Sequence, residues 1–255
     1  LRQAPQLIIA GGSNEGYALG TRGVLEGDLV VSGPSLHTSR PRDWTNVWEG
    51  QRRILNAVIE GTRVGDHPVL GRGNTEITYE QIGFFDGKRI NRTANQTANR
   101  GEATFGIRLN DMPNAHGDLL TMHVIRDIIQ QELALINEGQ PDHQLELTDL
   151  QKRAHIAAAV SEPERTQWIV DYVQNKVGHP LNEWVYGERG LEQAIILAGA
   201  FSNPDLADQP RRPDLIIIGP GERALYHEPD EYVKIDDLRQ YAEIYGDIFS
   251  HPNFN

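Results

Sequence analysis

The 255-residue sequence contains no cysteine and only two methionines. Without cysteine there are no disulfide bonds and no thiolate metal sites, so any metal would be held by His, Asp or Glu. No apolar run approaches the roughly 20 residues that a membrane helix needs. The N-terminus, LRQAP, has no initiator Met and no secretory signal pattern. These absences predict a cytoplasmic location, and the N-terminus suggests a fragment or a processed product.

Positive charge is also scarce, because 24 Lys and Arg face 36 Asp and Glu and the formal net charge is −12. Binding of nucleic acid needs a basic face, so this balance argues against nucleic acid as a partner. The hydrophobic share of 38% and the charged share of 24% are ordinary for a soluble globular protein. Neither a nucleic-acid partner nor a membrane partner is therefore expected.

The first part of the chain shows the hydrophobic periodicity of alternating strands and helices. We predict strands at 7–10, 17–32, 77–85, 103–109 and 144–147, and helices at 44–60 and 119–136. Residues 86–101 are rich in Asn, Thr and Gly, which predicts a loop. Over 17–150 the order is strand, helix, strand, strand, helix, strand. This is a split βαβ layout, an antiparallel sheet with both helices on one face.

The remainder of the chain has a different pattern. The stretch SEPE at 161–164 resembles a helix capping box and precedes a predicted helix that ends near Gly178. A short helix is predicted at 190–200, and an amphipathic helix at 235–249. Residues 215–218 are fully apolar, as expected for a strand in a central parallel sheet. The chain is therefore predicted to be α/β, with two domains that meet near residue 150.

A Gly-Pro-Gly turn at 219–221 follows the apolar strand and leads into a polar loop that contains His227. The ends of such strands are where α/β proteins place their sites. Imidazole is the natural zinc ligand when cysteine is absent, so His227 is a candidate ligand. Alternatively, His227 is an ordinary surface histidine in an acidic loop.

The same turn also fits a short dinucleotide-binding pattern, Gly219-x-Gly221-x-x-Ala224. That motif requires a helix to begin inside it, since the helix N-terminus holds the pyrophosphate. The continuation, YHEPDE at 226–231, does not predict a helix. A nucleotide-dependent oxidoreductase is therefore the weakest of the functional hypotheses.

Two loops in the first part carry further candidate residues. His37 lies in a short polar loop after a strand, where an imidazole can donate a hydrogen bond to a developing oxyanion. The Asn- and Arg-rich segment 90–100 offers donors suited to a carboxylate or a carbonyl oxygen. The alternatives are a turn histidine capped by its Ser and Thr neighbours, and a solvated hairpin loop.

Three motifs in order resemble one family, the zinc-dependent exopeptidases and deacylases that include carboxypeptidase G, succinyl-diaminopimelate desuccinylase, acetylornithine deacetylase and the aminoacylases. The first motif is LGTRG at 19–23 with LVVSG and LHTSRP up to residue 41. The second is the stretch 95–108, which matches the family's Asn-Val-Ile-Pro … Asp-Ile-Arg in spacing. The third is GPG … HEPDEYV at 219–233.

The resemblance implies a role for each candidate residue. His37 is similar to the lid histidine that stabilises the tetrahedral intermediate, in several relatives across a dimer. Asn95 resembles the lid asparagine near the substrate, Arg100 is suited to hold a substrate carboxylate, and His227 looks like the C-terminal zinc ligand. The implied domains are the end of the catalytic N-terminal part (1–16), a lid or dimerisation domain (17–150) and the C-terminal part of an α/β catalytic domain (151–255).

The sequence departs from the family pattern in two segments. Residues 95–98 are NQTA rather than Asn-Val-Ile-Pro, and residues 10–13 are AGGS, where the family has an acidic metal ligand. Glu15 is the nearest carboxylate. The family's first metal-binding His, bridging Asp and adjacent Glu pair precede this region of the pattern. We therefore expect the chain to lack most zinc ligands and to be inactive on its own.

Two functional hypotheses remain. The first is a zinc-dependent hydrolase of amide bonds, which by resemblance would form a homodimer or higher assembly through the lid domain and act on short peptides or N-acyl amino acids. The second is a non-catalytic relative whose lid domain serves dimerisation or assembly through an exposed sheet edge. Retention of His37 and His227 favours the first, and the Gly11-Gly12 departure favours the second.

Overall fold

A computed structural model describes residues 6–9, 15–39, 44–91, 95–156, 158–161, 163–184, 214–225 and 229–251. The chain separates into two compact units. One, here the sheet unit, comprises Val24–Gly65 and Gly73–His155. The other, here the flanking unit, comprises Leu1–Gly23, Asp66–Arg72 and Ile156–Asn255.

Seventeen strands and helices are described in chain order. They are β1 (Gln6–Ile9), β2 (Gly16–Tyr17), β3 (Gly20–Thr21), β4 (Gly23–Ser32), α1 (Val47–Gly61), β5 (Asp66–His67), β6 (Gly71–Arg72), β7 (Asn74–Phe85), β8 (Ile90–Asn91), β9 (Arg100–Leu109), α2 (Met122–Asn137), β10 (Glu146–Ile156), β11 (Ala159–Val160), α3 (Pro163–Val177), β12 (Asn182–Glu183), β13 (Asp214–Ile217) and α4 (Ile235–Phe249).

The sheet unit is built on a curled antiparallel sheet with the strand order β10-β4-β9-β7-β8. Strand β9 alternates between buried and partly buried residues, so every second side chain enters one core. Helices α1 and α2 contact each other and bury their apolar faces in the same core, with Phe105, Ile54 and Ile129 at or near zero exposure. The predicted split βαβ fold is confirmed.

Helix α1 begins at Val47, three residues after the predicted start. Asn46 is its N-cap, because the Asn46 carboxamide oxygen accepts from the N–H groups of Trp48 and Glu49, at 2.8 and 3.1 Å. The Glu49 carboxylate in turn accepts from the Asn46 N–H at 3.3 Å, which completes a capping box. The cap fixes the helix start, whereas apolar periodicity alone extended it to Trp44.

Two sheet boundaries also differ from the prediction. The predicted loop 86–101 contains the short strand β8 and the first residues of β9, which pair with the end of β7. Strand β10 extends to Ile156 rather than ending near residue 147. It lies at one edge of the sheet, and its exposed polar residues conceal the strand pattern.

In the flanking unit, β1 and β13 form a parallel pair in which Leu7 faces Leu215 and Ile9 faces Ile217. Helix α3 packs on β13 and on α4, around buried Ile169, Val173 and Ile244. The predicted parallel strand and the helices at 163–177 and 235–249 are thus present. The helix predicted at 190–200 lies outside the described residues. None of the described helices is long and apolar enough to cross a membrane.

Candidate functional site

The candidate site is built from two segments of the sheet unit that run side by side. The His37 loop, residues 33–39, leaves the end of β4. The Asn95 segment, residues 95–99, leads into β9. Their backbones are joined along their length: Gly33 N–H donates to the Asn99 carbonyl at 3.1 Å and Thr97 N–H to the Leu36 carbonyl at 2.9 Å. At the far end, Thr38 N–H donates to the Asn95 carbonyl at 3.0 Å.

His37 lies opposite Gln96 in an antiparallel bridge. Side chains of directly opposed residues point to the same face of such a pair, so the imidazole and the Gln96 carboxamide are neighbours. Asn95 is adjacent, and its carbonyl holds the residue that follows His37. His37 and Asn95 are 58 positions apart in the sequence and were both predicted as site residues. Their backbones therefore lie on adjoining segments.

The hydrogen bonds of the His37 ring select one tautomer. Nδ1 accepts from the Ser39 N–H at 3.2 Å and lies 2.8 Å from Ser39 Oγ. Because a backbone N–H can only donate, Nδ1 carries the lone pair and the neutral ring is protonated on Nε2. The side chain is exposed, so Nε2–H is a donor on an exposed residue.

Asn99 connects this pair of segments to the rest of the sheet. Its carboxamide oxygen accepts from Phe85 N–H at 2.6 Å, and its own N–H donates to the Gly83 carbonyl at 3.1 Å. The adjoining β7–β8 turn is closed by Asp86, whose carboxylate accepts from the N–H groups of Arg89 and Lys88. These bonds, first that from Arg89, hold the pKa of Asp86 below its ordinary value.

Arg100 opens β9, one residue beyond the Asn95 segment. Its Nε donates to Glu102 at 2.8 Å, and its guanidinium lies 4.7 Å from the centre of the Phe85 ring. Arg100 and Glu102 are on the same face of β9, because side chains two positions apart on a strand share a face. A substrate carboxylate at Arg100 would have to compete with Glu102.

An open depression of about 420 Å³ borders the Asn95 segment. It is lined by Gln96, Thr97 and Ala98, by Phe84 and Asn91 from the β7–β8 hairpin, and by the start of α1, including the half-exposed Trp48. Gln96, the bridge partner of His37, is thus one of the residues that line this depression. The depression combines aromatic surface with amide donors and acceptors.

The residues expected to bind metal are not brought together in the described part of the chain. Within it, no three His, Asp or Glu side chains are grouped so that they could hold a metal ion. His227 lies outside the described residues, as do residues 10–14. The described residues therefore do not by themselves fit a zinc site, which needs about three protein ligands.

The dinucleotide alternative is not supported by the local geometry. Gly221 has a φ of 117°, and the residues described directly after the turn form only the three-residue 3-10 helix Arg223–Leu225. Within the described residues 219–225, no helix long enough to hold a pyrophosphate begins.

Sequence reasoning gave no role to Thr97, which bonds to the His37 loop. It considered Ser39 only as a neighbour that caps a turn histidine, and Ser39 does bond to the His37 ring. The signal was the presence of hydroxyl residues in two polar loops, which does not reveal that the loops pair.

Among known proteins, only solved structures resemble this chain, and they do so through their fold. No protein-family model and no curated protein matches the sequence. An M20 family metallo-carboxypeptidase from Sulfolobus solfataricus matches with a TM-score of 0.64 at 13% identity, covering 95% of this chain and 62% of that one. The aminopeptidase PepT from Bacillus cereus matches with a TM-score of 0.57 at 9% identity, covering 93% and 54%.

A third match is an amidase of the hydantoinase/carbamoylase family from Burkholderia multivorans, with a TM-score of 0.55 at 14% identity, covering 94% of this chain and 53% of that one. The chain spans about half the length of the first solved structures it matches, 53% and 47%. The resemblance that the motifs indicate is confirmed at the level of the fold.

Proposed function

We propose that this chain is part of a metal-dependent hydrolase of amide bonds that acts on short peptides or N-acyl amino acids. The solved structures with the same fold are peptidases and amidases by their descriptions. The observation that carries the proposal is the pairing of the His37 loop with the Asn95 segment. It gathers the two lid residues that the sequence motifs imply, and it leaves His37 Nε2–H available as a donor.

In the proposed reaction, His37 Nε2–H donates to the carbonyl oxygen of the scissile amide as negative charge develops there. Such a donor stabilises the tetrahedral intermediate more than the planar substrate, which is the requirement for catalysis. Asn95 contributes amide hydrogen bonds to the substrate. Arg100 is proposed to bind the carboxylate of the substrate, which would replace Glu102 as the partner of its guanidinium. The depression beside Gln96 would accept the remainder of the substrate.

Zinc is the metal that the proposal expects, with His227 as one ligand. The described residues do not supply a complete ligand set, so we assign to this chain only the polar contacts of the lid. Self-association through the lid is part of the same proposal, because the resemblance implies that the histidine acts across a dimer. Within the described residues, β7 has a strand partner on its outer side only at Phe84 and Phe85, which leaves an open edge.

The test is release of free amine from N-acetyl amino acids and dipeptides, measured for the purified full chain with added Zn²⁺. His37→Ala is expected to lower kcat about 10²- to 10³-fold, the usual cost of removing one oxyanion donor. The matched control is His123→Ala on α2, an exposed histidine that pairs only with Asp127 on its own helix. Equal rates for His37→Ala and wild type would contradict the assigned role.

The Gly11-Gly12 departure, where the family pattern has an acidic metal ligand, favours a second candidate, a non-catalytic dimerisation or assembly protein. Intact mass together with zinc analysis separates the two. Bound zinc with amide hydrolysis supports the hydrolase. A metal-free protein of about 28.6 kDa that is inactive with added zinc but dimeric in sedimentation supports the alternative.

A further inference from the structure

We propose that Thr97 is a positioning residue that clamps the His37 loop against the Asn95 segment. Three polar groups of Thr97 bond to two consecutive residues of that loop. Its N–H donates to the Leu36 carbonyl at 2.9 Å, its Oγ1 accepts from Leu36 N–H at 3.0 Å, and its carbonyl accepts from Ser35 Oγ at 2.6 Å.

Burial distinguishes Thr97 from its neighbours. Asn95 and Gln96 are exposed, whereas Thr97 is 9% exposed and lines the depression. Hydrogen bonds shielded from water are worth more than exposed ones, and they are costlier to break because the groups left behind lose their partners. Thr97 therefore contributes a rigid point in an otherwise polar loop.

The clamp lies next to the candidate donor. Leu36, which makes two of the three bonds with Thr97, immediately precedes His37. Beyond His37, the next backbone bond to the segment is that from Thr38 N–H to the Asn95 carbonyl, at 3.0 Å. His37 is thus held from both sides, and its local bond to Ser39 sets only the tautomer of the ring. The position of the ring relative to Asn95 depends on the clamp.

The hydroxyl is the part of Thr97 that a substitution can remove without changing shape. Thr97→Val is nearly isosteric and leaves the backbone bonds possible, but it takes away the acceptor for Leu36 N–H. Thr97→Ser keeps the acceptor and removes only the methyl group. The matched control is Thr78→Val on β7, where an exposed hydroxyl makes only a long 3.4 Å bond to the Thr104 carbonyl.

The first measurement is residue-resolved amide hydrogen exchange of the full chain. In Thr97→Val, exchange at Leu36 and also at Thr38 is expected to rise about tenfold, because the whole loop is released. Thr97→Ser is expected to restore slow exchange at both amides, and Thr78→Val to leave both unchanged. Faster exchange at Leu36 alone would overturn the clamp, since only the bond that was removed would then be affected. Unchanged exchange at both amides would also overturn it, since the hydroxyl would then hold nothing.

The second measurement rests on the proposed function. For N-acetyl amino acid hydrolysis, Thr97→Val is expected to lower kcat about tenfold with a smaller change in KM, and Thr97→Ser is expected to recover it. Unchanged kcat beside accelerated exchange would show that the clamp does not position a catalytic group. The exchange experiment needs no activity, so exchange decides the clamp even for a chain that lacks most zinc ligands and is inactive on its own.

Discussion

Tyr245 links helix α4 to the residue that follows β13 through its side-chain hydroxyl. Its hydroxyl donates to the Ile218 carbonyl at 2.8 Å, one residue beyond the end of β13. Burial, with a smaller contribution from nearby Tyr241, raises the pKa of Tyr245 above its ordinary value. The folded protein therefore favours the neutral phenol, which keeps the donor that the carbonyl needs.

Stability should consequently depend on Tyr245 at alkaline pH. The contribution of Tyr245 to the free energy of unfolding is fully present at pH values below the pKa of tyrosine in the unfolded chain, about 10. It is lost as the pH rises further, because the unfolded chain then releases the proton that the folded chain retains. Tyr245→Phe is expected to cost about 1 kcal/mol at pH 8.

Urea unfolding at pH 8 and at pH 11 measures this effect. Wild type is expected to lose more stability between the two pH values than Tyr245→Phe does. Tyr79→Phe is the control, since Tyr79 is about half exposed and its hydroxyl contacts only exposed Gln81. An identical alkaline loss in wild type and Tyr245→Phe would contradict the assignment.

The types of individual residues predicted the candidate site residues but not their hydrogen-bond partners. His37 and Asn95 were recognisable because imidazole and carboxamide groups suit oxyanions and carbonyls. Their proximity depends on backbone hydrogen bonds between two irregular segments, and such bonds leave no periodic signal. The departure NQTA at 95–98 seemed only to weaken the match to the family pattern, yet Thr97 uses its hydroxyl to hold the loop.

Among the elements, helix α1 supports the depression beside the candidate site with its first turn. Asn46 and Glu49 form the capping box and also line the depression. Removing the cap leaves the N–H groups of Trp48 and Glu49 without their acceptor. Asn46→Ala is therefore expected to lower the free energy of unfolding by about 1 kcal/mol.

Thermal or urea unfolding of Asn46→Ala and Asn46→Asp tests the cap. Aspartate keeps an acceptor oxygen at the N-cap, so Asn46→Asp is expected to retain most of the stability. If both variants are equally destabilised, the carboxamide oxygen is not the group that matters. If neither is, the cap adds nothing measurable to the sheet unit.

The bounds of helices and strands with a strong hydrophobic periodicity were predicted well from the sequence. The bounds of elements with polar, exposed faces were not. The bounds of α4 were predicted as 235–249, where Tyr241, Ile244 and Ile248 recur on one buried face. The end of β10 was missed because its exposed edge residues carry no alternation that burial would impose. Capping chemistry, not hydrophobicity, set the start of α1.

Over the whole molecule, the fold class was predictable because strand and helix order limits the layouts that bury both apolar faces. The two units have separate cores. The core of the sheet unit draws its buried residues only from the range between Leu25 and Leu145, and that of the flanking unit from 17–19 and 169–248. No buried residue belongs to both clusters. Each set of apolar side chains is thus enclosed by elements of its own unit.

A core that is closed within one stretch of chain should fold without the rest. A polypeptide of residues 23–156, which also carries the Asp66–Arg72 segment of the flanking unit, is therefore expected to unfold cooperatively and to keep the near-ultraviolet circular dichroism of a packed core. Asn46→Ala should cost the fragment the same free energy as it costs the full chain, because the cap and everything it touches lie within the fragment. A fragment with helical signal but no cooperative transition would mean that the sheet unit needs the flanking unit to complete its core.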